Sequence, residues 1–174
     1  MVQSNEDIKR ALYSLPQAFE TLSKGQRTEL RRVRNPEELR NIGGFYELCS
    51  IHPVLQGKLW HTRNVVFFLP WVEHTEEISL GGSLFRAEIS ERRIYQVIRS
   101  TYSNDLLYLW RLTQMTISRG KTKKLRVNWQ DMSQALYYWG EDSKRKILSD
   151  FFKEEYFTKN KSEEKENNSD DKKN

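Results

Sequence analysis

The chain predicts an all-α protein, and three observations carry that prediction. Apolar residues recur at spacings of three and four through most of residues 1–157. Asn, Ser and Asp stand repeatedly just ahead of those stripes, where a side-chain oxygen can accept from the free N–H groups of a helix start. No run alternates apolar and polar residues in the manner of a strand, and no Asn-Gly hairpin signal is present. The expectation is a bundle of about eight or nine helices. It divides into an N-terminal helical part over residues 1–78, a C-terminal helical part over residues 79–157 and a tail over residues 158–174.

Ile8, Leu12, Leu15, Phe19 and Leu22 form the first stripe, with Pro16 expected to kink the helix and Gly25 to end it. Asn35-Pro36-Glu37-Glu38 is a second start signal: Asn accepts, Pro lacks the donor that would be orphaned, and the two acids oppose the helix dipole. Gly43-Gly44 is expected to break that helix before Phe45–Leu48 resumes it, and a further helix over about Leu55–Leu69 stops at Pro70. Gly81-Gly82 reads as a turn in a loop, with the boundary between the two parts within residues 72–84. Ser90 is placed to cap a helix carrying Ile94, Val97 and Ile98. Asn104 is placed to cap the next, whose stripe is Leu106, Leu109, Trp110 and Thr113 and whose end is Gly120. Asn128 caps residues 129–139, and Asp142 caps a last helix with Ile147, Leu148, Phe151 and Phe152 inward. The tail Thr158–Asn174 has no apolar side chain, so it buries nothing to offset the entropy of ordering and is expected to be disordered.

The net charge of +5 is concentrated in islands. Residues 24–40 sum to +3, residues 86–99 to +2 and residues 111–126 to +6, on a neutral or acidic background. Between Asp105 and Asp131 there is no acid at all, against Arg111, Arg119, Lys121, Lys123, Lys124 and Arg126. Such a run attracts polyanions, with phosphate backbone the commonest partner; it is equally compatible with a solvated loop. Two arginine pairs stand out. Leu30-Arg31-Arg32-Val33 sets guanidinium groups between apolar anchors. Ser90-Glu91-Arg92-Arg93 puts two cations in a first helical turn, against the dipole, which implies an ion partner or an external anion. Arg99 shares the face of Arg92 one heptad on. Aromatics interleave with these positives, Tyr95, Tyr102 and Tyr108 among them, and where exposed could stack bases; Trp110, Trp129 and Trp139 at helical spacings read as core.

Enzyme chemistry finds little support. His52, His61 and His74 offer no i, i+4 pair, and adjacent Glu37-Glu38 and Glu76-Glu77 diverge on a helix. Cys49 and His52 share a face but lack a third, orienting group. Gly81-Gly82 lacks the lysine and the spacing of a phosphate-binding loop. One cysteine gives neither a disulfide nor a zinc site, the first residues are polar, and the longest apolar run, Val65–Val72, is far too short for a membrane span. The expectation is a cytoplasmic, non-enzymatic protein with no cofactor, no metal, no membrane partner and no small-molecule substrate.

Several segments in one order resemble a known family. They are Gly25; Leu30-Arg31-Arg32-Val33; Asn35 to Arg40; Phe45-Tyr46-x-Leu48; Ile78-Ser79-Leu80-Gly81; Ser90 to Arg99; Asn128-Trp129; Trp139-Gly140; and Asp150-Phe151. Together, over about residues 8–157, they resemble the CasB family, the small subunit of the type I-E CRISPR surveillance complex Cascade. The resemblance implies a helical, non-catalytic protein in antiviral defence that pairs head to tail with a second copy and touches other Cascade subunits. It also implies contact with guide RNA and target DNA, holding above all the displaced strand of the R-loop. Carried over residue by residue, the phosphate-contact candidates are Arg31, Arg32, Arg92, Arg93, Arg99 and Arg111, with Lys58 and Arg63 in a weaker-matching stretch. Trp110-Arg111 stands where relatives can show paired arginines, and residues 114–126 have no clear counterpart. Arg119, Lys121, Lys123 and Lys124 are therefore candidates from composition alone. A free-standing DNA-binding regulator and a basic adaptor protein remain as alternative readings.

Overall fold

The computed structural model describes residues 4–170, with side chains over residues 4–161. The fold is an all-α bundle, built among the described residues from ten α-helices, two short 3-10 helices and one pair of three-residue strands. Helix α1 (Asn5–Thr21) is capped by Ser4, whose Oγ accepts from Glu6 N at 3.2 Å, and buries the predicted stripe. It ends four residues before Gly25, because Ser23 and Gln26 form a reciprocal capping box that starts α2 (Lys24–Arg32), with Gly25 inside it. Asn35 performs as expected: its Oδ1 accepts from Glu38 N at 3.2 Å, although the element it opens, Pro36–Asn41, is a 3-10 helix. Gly43-Gly44 does not interrupt a helix but begins α3 (Gly43–Ile51). A Cβ on Gly44 would lie 3.1 Å from the Gln26 side chain, which is how closely α3 approaches α2.

The helix expected over residues 55–69 is two pieces, α4 (Pro53–Gln56) and α5 (Leu59–Phe68), parted at Gly57-Lys58. A 3-10 turn (Leu69–Trp71) leads into β1 (Val72–His74). This strand pairs in parallel with β2 (Leu125–Val127), in the register Val72–Leu125, Glu73–Arg126 and His74–Val127. At three residues each, the strands are too short to leave an alternation in the sequence. Their buried Val72, Leu125 and Val127 tie the two halves of the chain together.

Gly81-Gly82 is not a turn. Both lie in α6 (Leu80–Arg86), whose N-cap Ser79 accepts from Gly82 N at 3.1 Å. Glycine is required at 81 for another reason: a Cβ there would lie 2.2 Å from Ile147 O and 2.6 Å from Phe151 N, backbone atoms of α10 (Glu141–Asp170). Between them run α7 (Glu91–Arg99), α8 (Asn104–Arg119) and α9 (Trp129–Tyr137). Asn128 caps α9, accepting from Asp131 N at 3.1 Å. Ser90 stands at the N-cap of α7 without a side-chain bond, Asn104 is already inside α8, and Asp142 lies in the first turn of α10 instead of capping it.

Residues 158–170, expected to be disordered, are described as a continuation of the α10 helix. The Lys159–Glu155 pair at 2.7 Å is of the i, i+4 kind that favours helix independently of any buried face. The rest of that expectation, residues 171–174, lies outside the described residues.

One hydrophobic core runs from Ile8 to Phe151, across the predicted boundary at residue 78. Trp129 is 1% exposed and donates its indole N–H to Leu12 O at 2.9 Å, pinning α9 to α1. Trp139 is buried as expected, and Trp110 is half-buried against Phe67 and Trp71. Among the described residues no helix is long and apolar enough to cross a membrane.

Candidate nucleic-acid interface

Helix α7 carries a row of uncompensated charge. Ile94 and Val97 are buried and Ile98 half-buried, fixing the inner face. At about 100° per residue, the opposite face is then Arg92, Tyr95, Gln96 and Arg99. These four side chains line one concavity of about 390 Å³. The Arg99 guanidinium lies 5.2 Å from the centre of the Tyr95 ring, a cation–π distance. Arg93 is exposed on the flank of the same helix. None of the three arginines has a carboxylate partner among the described residues. The first turn of α7 thus keeps two cations at the positive end of a helix dipole; Glu91 stands in the same turn but pairs with neither.

Helix α8 packs on α7 and exposes Arg111, which lies 5.5 Å from the Tyr108 ring centre and also has no carboxylate partner among the described residues. Arg31 and Arg32 are exposed in the last turn of α2, where the dipole favours cations, and Lys58 is exposed at the start of α5. These three do not line the α7 concavity.

Arg63 requires correction. Its side chain is 7% exposed and its Nη1 donates to Glu37 Oε2 at 3.0 Å, with Arg40 and Tyr102 on the same carboxylate. That places it inside the bundle as a tie between α5 and the Pro36–Asn41 turn. It does not present a cation to a phosphate. Burial and the Glu37 charge together push the Tyr102 hydroxyl up to about 12, so it stays protonated and donates to Glu37 at 3.2 Å.

The basic run after α8 is less free than its composition suggests. Arg119 donates through Nη1 to Ala87 O at 2.7 Å and Glu88 O at 2.6 Å, satisfying the carbonyl end of α6. Lys124 lies 3.7 Å from Glu20. Lys121 and Lys123 are exposed without carboxylate partners among the described residues. Lys121, not Gly120, takes the left-handed conformation that ends α8, with φ of 50°. Arg119, Lys124 and Arg126 line a separate cleft of about 680 Å³ together with Arg86, Glu77 and Glu88, so its charge is mixed.

The imagined Cys49–His52 couple is not formed. Cys49 is buried, which pushes its thiol up to about 11, and His52 Nε2 lies 3.2 Å from Ser14 Oγ. Among the described residues no cluster of His, Cys, Asp and Glu could hold a metal ion. Sequence reasoning marked Tyr95 as an aromatic beside the positives but did not set it in one row with Arg92 and Arg99, and it missed Gln96. The spacing i, i+3, i+4, i+7 was the signal that could have found them.

No protein-family model matches the chain. It is 31% identical over 151 residues to the CRISPR system Cascade subunit CasB of Escherichia coli strain K12, over 79% of this chain and 90% of that protein. Its fold superposes with a TM-score of 0.71 on a chain of the crystal structure of E. coli Cascade bound to a PAM-containing dsDNA target. There the identity is 29%, over 82% of this chain and 97% of that one. CasB subunits are non-catalytic, and with the fold and nearly the whole length of the relative matched, the chain belongs to the CasB family of CRISPR Cascade subunits.

Proposed function

We propose that this chain works as the small subunit of a Cascade-type complex, in contact with other subunits, guide RNA and target DNA. In this reading it stabilises the R-loop by holding the displaced, non-target strand on its free arginines. The observation that carries the reading is the outward row of α7, where Arg92 and Arg99 stand one heptad apart with no carboxylate partner among the described residues. Guide pairing supplies sequence specificity in such a complex, and strand exchange is near balance, so a few phosphate contacts tip it without reading bases. Arg31, Arg32, Arg93 and Arg111 extend the same charge, Lys58, Lys121 and Lys123 are exposed additions, and a second copy of the chain pairs head to tail beside the first.

The test is the salt dependence of single-strand binding by the full chain, for wild type and for Arg92→Ala/Arg99→Ala. Removing one phosphate interaction lowers the slope of log K against log salt by about 0.7 on single strands. The double variant is expected to fall by about twice that, while still co-purifying with the other subunits. An unchanged slope together with normal R-loop formation in the assembled complex rules the arginine assignment out.

A further inference from the structure

We propose that the outward face of α7 is a seat for one nucleotide of a single-stranded nucleic acid, in which Tyr95 and Gln96 hold the base while Arg92 and Arg99 hold the phosphates on either side. The inference deepens the reading above and rests on it. Arg92 and Arg99 are separated by about 10.5 Å along the helix axis, seven residues at the α-helical rise. Tyr95 and Gln96 lie between them, and all four side chains line the same concavity.

The chemistry of the four groups is complementary to one nucleotide. Tyr95 is half-buried, and the Arg99 guanidinium lies over its ring at 5.2 Å from the centre. A phosphate that draws the exposed Arg99 guanidinium off the ring leaves the Tyr95 face as a surface on which a base stacks. The Gln96 side-chain amide makes no hydrogen bond within the described residues, which leaves a donor and an acceptor for a base edge. A duplex hides its base faces inside the stack, so the occupant of a stacking seat is a single strand. Stacking is tolerant of sequence, which suits a subunit that does not choose the target.

The proposal separates from simple charge attraction in one experiment. Fluorescence anisotropy is followed for the full chain with a labelled oligothymidylate, with the corresponding RNA oligomer and with an abasic DNA oligomer of equal phosphate count. Tyr95→Leu is expected to weaken binding to the base-bearing strands about five- to a hundredfold at fixed salt, with an unchanged salt slope. Tyr95→Phe keeps the ring and binds as wild type, which also controls for folding. On the abasic strand wild type and Tyr95→Leu bind alike. A preference of wild type for DNA over RNA identifies the displaced strand as the occupant, and the reverse identifies guide RNA. Equal affinity of Tyr95→Leu and wild type for the base-bearing strands overturns the seat, as does an equal loss on the abasic strand. If Arg92→Ala/Arg99→Ala still lowers the slope, the broader reading survives that result. If neither variant changes anything, both fall.

Discussion

Replacing Lys144 by Met removes the most deeply placed cation among the described residues and gives a sharp test of how the α7, α8 and α10 ends are joined. The Lys144 Nζ lies 3.0 Å from Asp105 Oδ2 and 3.0 Å from Glu141 Oε1, and donates to Ser100 O at 2.7 Å. The Lys144 and Asp105 side chains are 4% and 2% exposed. Without the lysine, Asp105 keeps only the Leu106 N–H, at 2.7 Å, inside the bundle. Breaking one side of such a pair costs about 3–5 kcal/mol, because the charge left behind is buried and unpaired. For a chain of this length that is a fall of roughly 6–20 °C in Tm, read by thermal or urea unfolding. The double replacement Asp105→Asn/Lys144→Met is expected to recover most of the loss, since no lone charge remains. Burial lowers the lysine pKa, but the hydrogen bonds and charges of Asp105 and Glu141 outweigh it and raise the value above the ordinary 10.5. The pair's contribution is therefore complete below pH 10.5 and is lost as pH climbs through the higher folded value. The Met variant lacks that alkaline loss. A single-variant cost below about 1 kcal/mol, or a double variant as unstable as the single, would refute the reasoning.

Two further substitutions probe the frame around the interface. Gly81→Ala places a methyl group 2.2 Å from Ile147 O, on backbone that cannot yield like a side chain, so α6 and α10 must part. A loss of about 3 kcal/mol or more is expected in urea unfolding, and a neutral result would mean that the helices do not cross this closely. Lys121→Gly relieves a non-glycine residue at φ of 50° and should raise stability by about 0.5–1 kcal/mol, measured as a higher urea midpoint at unchanged m-value. Destabilisation instead would place the left-handed turn elsewhere.

What was legible in the sequence is what depends on near neighbours. The caps Asn35 and Asn128 act on N–H groups three residues on, and the Ile94/Val97 stripe follows the period of its own helix. The arginine row of α7 belongs to the same class, because residues one heptad apart share a face whatever surrounds them. What could not be read depends on distant partners. Arg63 looks like any surface arginine until Glu37, 26 residues earlier, closes over it. Gly81 looks like a turn until α10 arrives against its Cα. The β1–β2 pair joins segments some fifty residues apart with three residues on each side. The tail is a different case: absence of apolar residues argues against a core, but a helix rich in Lys and Glu can extend from a packed stem without one.

The same distinction explains why the local sum of charge and the proposed site do not coincide. Residues 111–126 carry +6 and residues 86–99 only +2, so composition points to the former. Yet Arg119 is engaged by the carbonyl end of α6 and Lys124 by Glu20, because a loop that closes onto the body brings its cations to acceptors. In residues 86–99 the cancelling acids do not neutralise the row. Glu88 sits past the end of α6 at φ of 56° and Glu91 on the first residue of α7, about 100° around the helix from Arg92. Charges on different faces of an element cancel in a sum and not in space. Arg92 and Arg99 are thus unpaired because the helix projects them away from the acids in their own segment, and the same helix projects Tyr95 and Gln96 between them. An interface that grips a strand without reading it needs charges presented together on one side of an element more than a large local sum, since side-chain ordering offsets part of each contact it makes.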